Sequence, residues 1–89
     1  MNPKRLWERI QQGHVHNIDF SDFVQLIKAF GFEFDRQRGT SHQMYMRESV
    51  REAMNVQPDR DGSAKPYQVR QLKRLVQEYD LKLEDAADE

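Results

Sequence analysis

One histidine, His42, stands where a side chain could take part in acid-base chemistry. It follows the turn-forming residues Gly39, Thr40 and Ser41 at the predicted start of a strand, so its ring should reach solvent. An exposed imidazole can accept or donate a proton near neutral pH. The same position also suits a histidine that only caps a hairpin or lies on the surface of a sheet. The spacing alone leaves both interpretations open.

Two further histidines, His14 and His16, lie two residues apart with Asp19 nearby, a spacing that superficially suggests metal ligation. No cysteine and no third histidine stand close to them, so a connector with incidental histidines is the better interpretation. We therefore predict no metal site and no cofactor. Nothing in the sequence resembles a Gly-rich nucleotide loop, a nucleophile elbow or a catalytic triad.

Three helices are predicted from caps, prolines and apolar spacing. Asn2 and Pro3 suit the start of the first helix. Asp19 or Ser21 can cap the second, and Pro66 suits the first turn of the third. Apolar side chains recur every three or four residues in each helix. Gly13 can close the first helix, Gly31 ends the second, and the third should continue to about residue 81, with residues 14–18 as a connector.

Three short strands are predicted between the second and third helices, over residues 32–38, 42–47 and 53–57. The first two should form a hairpin, and Pro58 stops the third because it cannot donate to a ladder. Alternation in the second strand places Met44 and Met46 on the face of His42 and Tyr45 on the other. In the first strand it predicts one shared face for Phe32, Phe34, Arg36 and Arg38.

This order predicts an α+β domain with a three-stranded antiparallel sheet. The two longer helices should cover one face of the sheet and leave the other open, with the short N-terminal helix as an addition. A strand, strand, strand, helix order after a first helix is also that of the double-stranded RNA-binding domain. We expect an N-terminal extension over residues 1–19, the main domain over residues 20–83 and a disordered acidic tail over residues 84–89.

Length and composition exclude several classes of protein. With 89 residues there is room for one core and no second domain. The absence of cysteine excludes disulfides and thiolate zinc sites, so a reducing cytoplasm is the expected location. The N-terminus has no continuous apolar stretch for a signal peptide or a membrane span. The sequence leaves the oligomeric state open.

The net charge of −1 conceals a basic body. Residues 1–83 hold 14 basic and 11 acidic side chains, a net charge of +3, and the last six residues hold four acids. Between residues 62 and 77 there are four basic side chains and no acidic one. These four are Lys65, Arg70, Lys73 and Arg74. Such a run is typical of a nucleic-acid-binding surface or of an ordinary solvated helix face.

An ordered set of motifs over residues 20–81 resembles the HicA family of toxins, which are small mRNA interferases of bacterial HicA-HicB toxin-antitoxin modules. The motifs are Phe30-Gly31-Phe32, Arg36-Gln37-Arg38-Gly39, Ser41-His42, Tyr45, Asn55-Val56-Gln57-Pro58, Gly62 and the segment from Lys65-Pro66 to Leu72. The family's adjacent Gly-Ser pair before the histidine is interrupted here by Thr40. The resemblance implies a fold similar to a double-stranded RNA-binding domain.

The resemblance implies that His42 is the functional histidine, acting as a general acid or base at the scissile phosphate without a metal. Lys65 is the first candidate to stabilise the developing negative charge and Arg38 the second. It also implies mRNA and a HicB-like antitoxin as partners. The RNA backbone would be bound by further polar and basic side chains. These are Arg36, Arg38, Ser41, Arg47, Arg70, Lys73 and Arg74.

Two other functions remain open from the sequence. One is a non-catalytic RNA-binding module of the same fold, which the altered turn at Thr40 makes credible. The other is a protein-interaction domain whose exposed sheet pairs with another chain.

Overall fold

The order of helices and strands in the computed structural model, which describes residues 1–83, is the predicted one. The acidic tail predicted over residues 84–89 lies outside the described residues. The helices are α1 (Pro3–Gln11), α2 (Phe20–Ala29) and α3 (Pro66–Tyr79), and the strands are β1 (Glu33–Arg38), β2 (His42–Met46) and β3 (Met54–Val56). The strands form one antiparallel sheet in the order β1-β2-β3. The predicted α+β class is confirmed, and its element order is compatible with a double-stranded RNA-binding-like fold.

One apolar core lies between the helices and one face of the sheet. Tyr45 and Met54 from paired positions of β2 and β3 are both buried in it. Trp7 of α1 packs edge-on against Phe30, with 4.9 Å between ring centroids, so α1 shares the core of the other elements. The helices contribute the predicted apolar stripes. Their fully buried members are Ile10, Phe23, Leu26, Ile27, Phe30, Val69, Leu72 and Leu75.

The ends of the helices follow local chemistry. The Asn2 side chain accepts a hydrogen bond from the Lys4 N–H at 2.7 Å, which caps α1. The third helix was expected to reach about residue 81, but it ends at Tyr79. Asp80 adopts a left-handed conformation with φ of 53°, which stops the helix two residues early.

A β-bulge at Asp35 interrupts the alternation of β1. Phe34 pairs with Tyr45, whereas the next pair along the ladder is Arg36 with Met44, so Asp35 has no counterpart in β2. Residues that pair across two strands project from the same face of the sheet. The bulge therefore moves every residue after it to the face opposite the one that simple alternation assigns.

The prediction that Phe32, Phe34, Arg36 and Arg38 share one face is wrong because of this extra residue. Phe34 lies on the face of the buried Tyr45, that is, on the helix side. Arg36 and Arg38 pair with Met44 and His42 and lie on the open side. The bulge thus keeps two arginine side chains on the face that carries the histidine.

The outer edge of β3 is closed by the side-chain amide of Gln68. Its Oε1 accepts from the Gln57 N–H at 3.3 Å, and its Nε2 donates to the Asn55 carbonyl at 3.3 Å. These are the backbone groups that a neighbouring strand would otherwise pair. Gln68 is only 3% exposed, so the two hydrogen bonds are made away from water. They hold the first turn of α3 against the end of β3.

Replacing Gln68 with Leu should therefore lower the free energy of unfolding by about 2–4 kcal/mol, because two backbone groups of β3 lose their partner. Urea unfolding followed by circular dichroism measures the loss. Gln71→Leu is the matched control, because the half-buried Gln71 donates to the Glu52 carboxylate and not to the backbone. We expect about 1 kcal/mol or less for the control. Equal losses in the two variants would contradict the edge-closing role.

A second prediction concerns the stability of the protein in acid, to which Asp19, the N-cap residue of α2, contributes. The pKa of Asp19 is lowered, first by the hydrogen bond from the Ser21 hydroxyl and then by the N–H groups of Asp22 and Ser21. Its carboxylate therefore stabilises the folded state fully above the ordinary value of 3.8, and this contribution is lost as the pH falls below it. Stability should fall more steeply below about pH 4 in the parent than in Asp19→Asn, whose amide caps without titrating. Urea midpoints at a series of pH values test this, and parallel curves would refute it.

Candidate functional site

His42 is the first residue of β2 and lies on the open face of the sheet. Its ladder partner is Arg38, at the end of β1. The three residues between them form the turn of the hairpin, in which Gly39 takes a φ of +62°, a region that favours glycine. The Thr40 carbonyl accepts a hydrogen bond from Gln37 Nε2 at 3.1 Å, so the turn closes with Thr40 in place. The His42 side chain is exposed, as predicted.

Gln57 lies beside His42 at the end of β3. The last pair between β2 and β3 is Gln43 with Val56, so Gln57 is the first residue beyond this ladder, at the end of the sheet where β2 begins. The Nε2 atom of Gln57 donates to the Ser41 hydroxyl at 2.8 Å in a partly buried hydrogen bond. The residue before the histidine is therefore held against the sheet by the third strand.

Lys65 reaches the same end of the sheet from α3. It is the N-cap residue of that helix. It directly follows Ala64, which forms a β-bridge with Pro58, and Pro58 directly follows Gln57. No carboxylate among residues 1–83 forms an ion pair with its ammonium group. Backbone N–H groups at the start of a helix favour a bound phosphate, and the positive charge of the lysine favours it as well.

These contacts define a row of residues that crosses the end of the sheet, which we call the His42 row. Its members are Arg38, His42, Gln57 and Lys65. Arg38 and His42 are a ladder pair, Gln57 follows the last pair of β2 with β3, and Lys65 follows the bridge between Pro58 and Ala64. The row places an exposed imidazole between two cations with a polar amide beside it.

Arg36 lies on the same face, one ladder step away from the row. It pairs with Met44, and Met44 in turn pairs with the exposed Asn55 of β3. The Arg36 guanidinium is 3.6 Å from the Asp35 carboxylate, and both side chains are exposed. An exposed ion pair of this length contributes little and leaves the arginine able to exchange partners.

Two further predicted RNA-binding arginines, Arg47 and Arg74, also have partners within the chain. Arg47 donates to the Phe30 carbonyl at 2.6 Å and to the Ser49 hydroxyl at 2.8 Å. It follows the far end of β2, about 16 Å along the strand from His42. Its side chain thus connects the β2–β3 loop to the end of α2.

Arg74 is held between two carboxylates. Its guanidinium lies 2.6 Å from Glu52 and 3.0 Å from Glu78. The hydrogen bond to Glu52 is the main reason that the pKa of Arg74 is raised. Arg74 also lies about 14 Å further along the axis of α3 than Lys65.

The remaining basic residues of the third helix, Arg70 and Lys73, form no ion pair with any carboxylate of residues 1–83. Arg70 is exposed and Lys73 is half-buried. The structure therefore brings five of the nine predicted site residues to one end of the sheet and spreads the other four along α3 or at the far end of β2. The five are Arg36, Arg38, Ser41, His42 and Lys65.

The positioning contacts of Gln57 and Gln68 were not predicted from the sequence. A signal for the second was present, because Gln68 stands four residues before Leu72 in the apolar stripe of α3. A glutamine at such a position must find polar partners in the core. No pattern in the sequence indicated that Gln57 reaches Ser41, since the two are 16 residues apart.

The histidines of the connector do not form a ligand set with their neighbours. His14 and His16 are both exposed. Within residues 1–83 no three histidine, aspartate or glutamate side chains are grouped as a metal ion would require. Among the helices of this part of the chain, none has the length and apolar character needed to cross a membrane.

Comparison with known proteins gives one match. Residues 20–78, more than half of the chain, match the model of the family described as HicA toxin of bacterial toxin-antitoxin. Searches of curated proteins and of solved structures returned no match. The matched residues run from the start of α2 almost to the end of α3 and include every member of the His42 row. The chain therefore belongs to the HicA toxin family.

Proposed function

We propose that this toxin is an endoribonuclease that cleaves mRNA in the cytoplasm, with His42 as its general acid or base and no metal ion. The observation that carries the proposal is the His42 row, in which an exposed imidazole lies between Arg38 and Lys65. An imidazole can move a proton, and two flanking cations can bind the phosphate and stabilise the charge that develops on it.

The proposed reaction is an attack by a ribose 2′-hydroxyl on the adjacent phosphorus. The new bond joins the 2′-oxygen to phosphorus, and the bond from phosphorus to the 5′-oxygen of the next nucleotide breaks. One proton leaves the 2′-hydroxyl and one is delivered to the leaving 5′-oxygen. The products are a 2′,3′-cyclic phosphate and a free 5′-hydroxyl. His42 can serve one of the two proton transfers at a time.

Lys65 is the first candidate to stabilise the phosphorane, and Arg38 is the second. Lys65 combines an ammonium group with the N-terminus of a 14-residue helix. Arg38 lies at the end of the row opposite to Lys65, and its guanidinium can contact two phosphate oxygens at once. The Ser41 hydroxyl, fixed by Gln57, is proposed to position the substrate phosphate between them.

RNA binding along α3 would rely first on Arg70 and Lys73. Arg47 and Arg74 also stay predicted contacts, but each would have to give up a partner within the chain to bind RNA. As partner we propose a HicB-like antitoxin that covers His42 and the basic part of α3 and so blocks access of RNA. This follows from the family and from the exposure of the histidine.

Substituting His42 tests the catalytic role. In EDTA, the parent should cut a long RNA and leave 5′-hydroxyl and 2′,3′-cyclic phosphate ends, and His42→Ala should slow cleavage at least about a hundredfold because the proton transfer is lost. Gel analysis of the fragments and end-specific labelling give the rate and the chemistry.

His16→Ala is the control, because it removes an exposed histidine of the connector. Undiminished cleavage by His42→Ala would overturn the assignment. RNA that is bound but left intact by the parent would favour the non-catalytic binding module, and the absence of any interaction would leave the protein-interaction domain.

Neutralising single cations tests the phosphate contacts. In a His42→Ala background, which prevents cleavage, Lys65→Gln should weaken RNA binding and reduce the slope of log Kd against log salt by about 0.7, the value for one phosphate contact. Lys4→Gln is the control, and it should leave the slope unchanged because Lys4 is an exposed lysine of α1 that is outside the predicted RNA contacts. Fluorescence anisotropy at several salt concentrations measures both. An equal change in the two variants would contradict the special position of Lys65.

A further inference from the structure

The second residue of α3, Tyr67, exposes an unusual amount of apolar surface. It is 63% exposed, the highest value among the large apolar side chains that the structure describes as exposed. The buried stripe of α3 uses Val69 and Leu72 and does not need this ring. Lys65, a member of the His42 row, stands only two residues earlier.

The Tyr67 ring is held in place although it is exposed. Its hydroxyl accepts a hydrogen bond from Gln68 Nε2 at 3.1 Å. The same nitrogen donates to the Asn55 carbonyl, and the Gln68 oxygen accepts from the Gln57 N–H, so the amide cannot turn freely. A side chain with few torsions and an anchored polar end loses little conformational entropy when a ligand covers its face.

Hydrogen bonds connect the ring to the residue before the proposed catalytic histidine. From the Tyr67 hydroxyl they lead through Gln68 to Gln57, and the Gln57 side chain reaches the Ser41 hydroxyl at 2.8 Å. Tyr67 therefore lies beside the outer edge of β3, at the Lys65 end of the His42 row. Lys65 and Tyr67 are two residues apart, so a nucleotide whose phosphate is bound by Lys65, as proposed, would bring its base towards this ring.

We infer that Tyr67 is a stacking platform for an unpaired RNA base next to the phosphate bound by the His42 row, an inference that rests on the proposed function. Every base has a π-face, so this contact adds affinity without strong preference for one base. A base in a duplex is already stacked and paired and cannot cover the ring. The substrate segment at this end of the sheet is therefore single-stranded.

The test uses the full chain with His42→Ala and a single-stranded RNA that carries one 2-aminopurine, whose fluorescence is quenched by stacking. Tyr67→Ala should weaken binding about tenfold to a hundredfold and abolish the quenching that the protein causes. The slope of log Kd against log salt should stay unchanged, since stacking releases no counterions. Tyr67→Phe should keep the quenching and most of the affinity because it keeps the ring.

Phe34→Ala is the matched control, since Phe34 is a half-exposed ring on β1, away from the row. Thermal unfolding of each variant confirms that it is folded. Tight binding and full quenching in Tyr67→Ala would overturn the inference and leave the proposed function standing. An equal loss of binding and quenching in Phe34→Ala would also overturn the inference. If the His42→Ala parent binds no RNA at all, both the proposed function and the inference fail.

Discussion

The position of α3 relative to the sheet, and with it the position of Lys65, depends on one buried side chain, the amide of Gln68. A three-stranded sheet has two edges with unpaired backbone groups, and a helix has no free backbone groups along its side to satisfy them. Here the outer edge of β3 is satisfied by an amide that presents one acceptor and one donor, as a strand residue would. Because this amide belongs to the first turn of α3, the start of the helix is fixed against the end of the sheet.

The other edge of the sheet, along β1, carries a β-bulge, and this bulge determines on which face of the sheet the arginines of β1 lie. All six residues of β1 are exposed, and the bulge at Asp35 interrupts the regular spacing of its unpaired edge. Bulges and charged residues are common devices against edge-to-edge association. In this chain the bulge has a second effect, because it turns Arg38 to the side of His42. A strand without the extra residue would direct the same arginine to the helix side.

Local sequence patterns predicted the helices and strands, whereas contacts between residues far apart in the chain became visible only in the structure. The stripes of α2 and α3, the glycine turn before His42 and the stop at Pro58 are encoded within a few residues, and the structure confirms the elements they predicted. The bulge depends on how β1 aligns with β2, which no local period reveals. Likewise, one of the two partners of Arg74 is Glu52, 22 residues away, and no local pattern indicates that contact. The turn predicted an exposed histidine at position 42, which the structure shows, but no local pattern predicted the residues that lie around it.

The distribution of charge over this protein says more about where a phosphate could bind than its net charge does. The chain carries a net charge of −1, yet the hairpin has Arg36 and Arg38 at its turn and the exposed acids Glu33 and Glu48 at its other end. The field along the open face therefore favours a phosphate near the turn and disfavours one near the start of β1. An RNA strand that follows β1 would have to pass both regions, whereas a strand that crosses the sheet along the His42 row meets cations on both sides. For the proposed RNA substrate, the crossing path is consequently the one that charge supports.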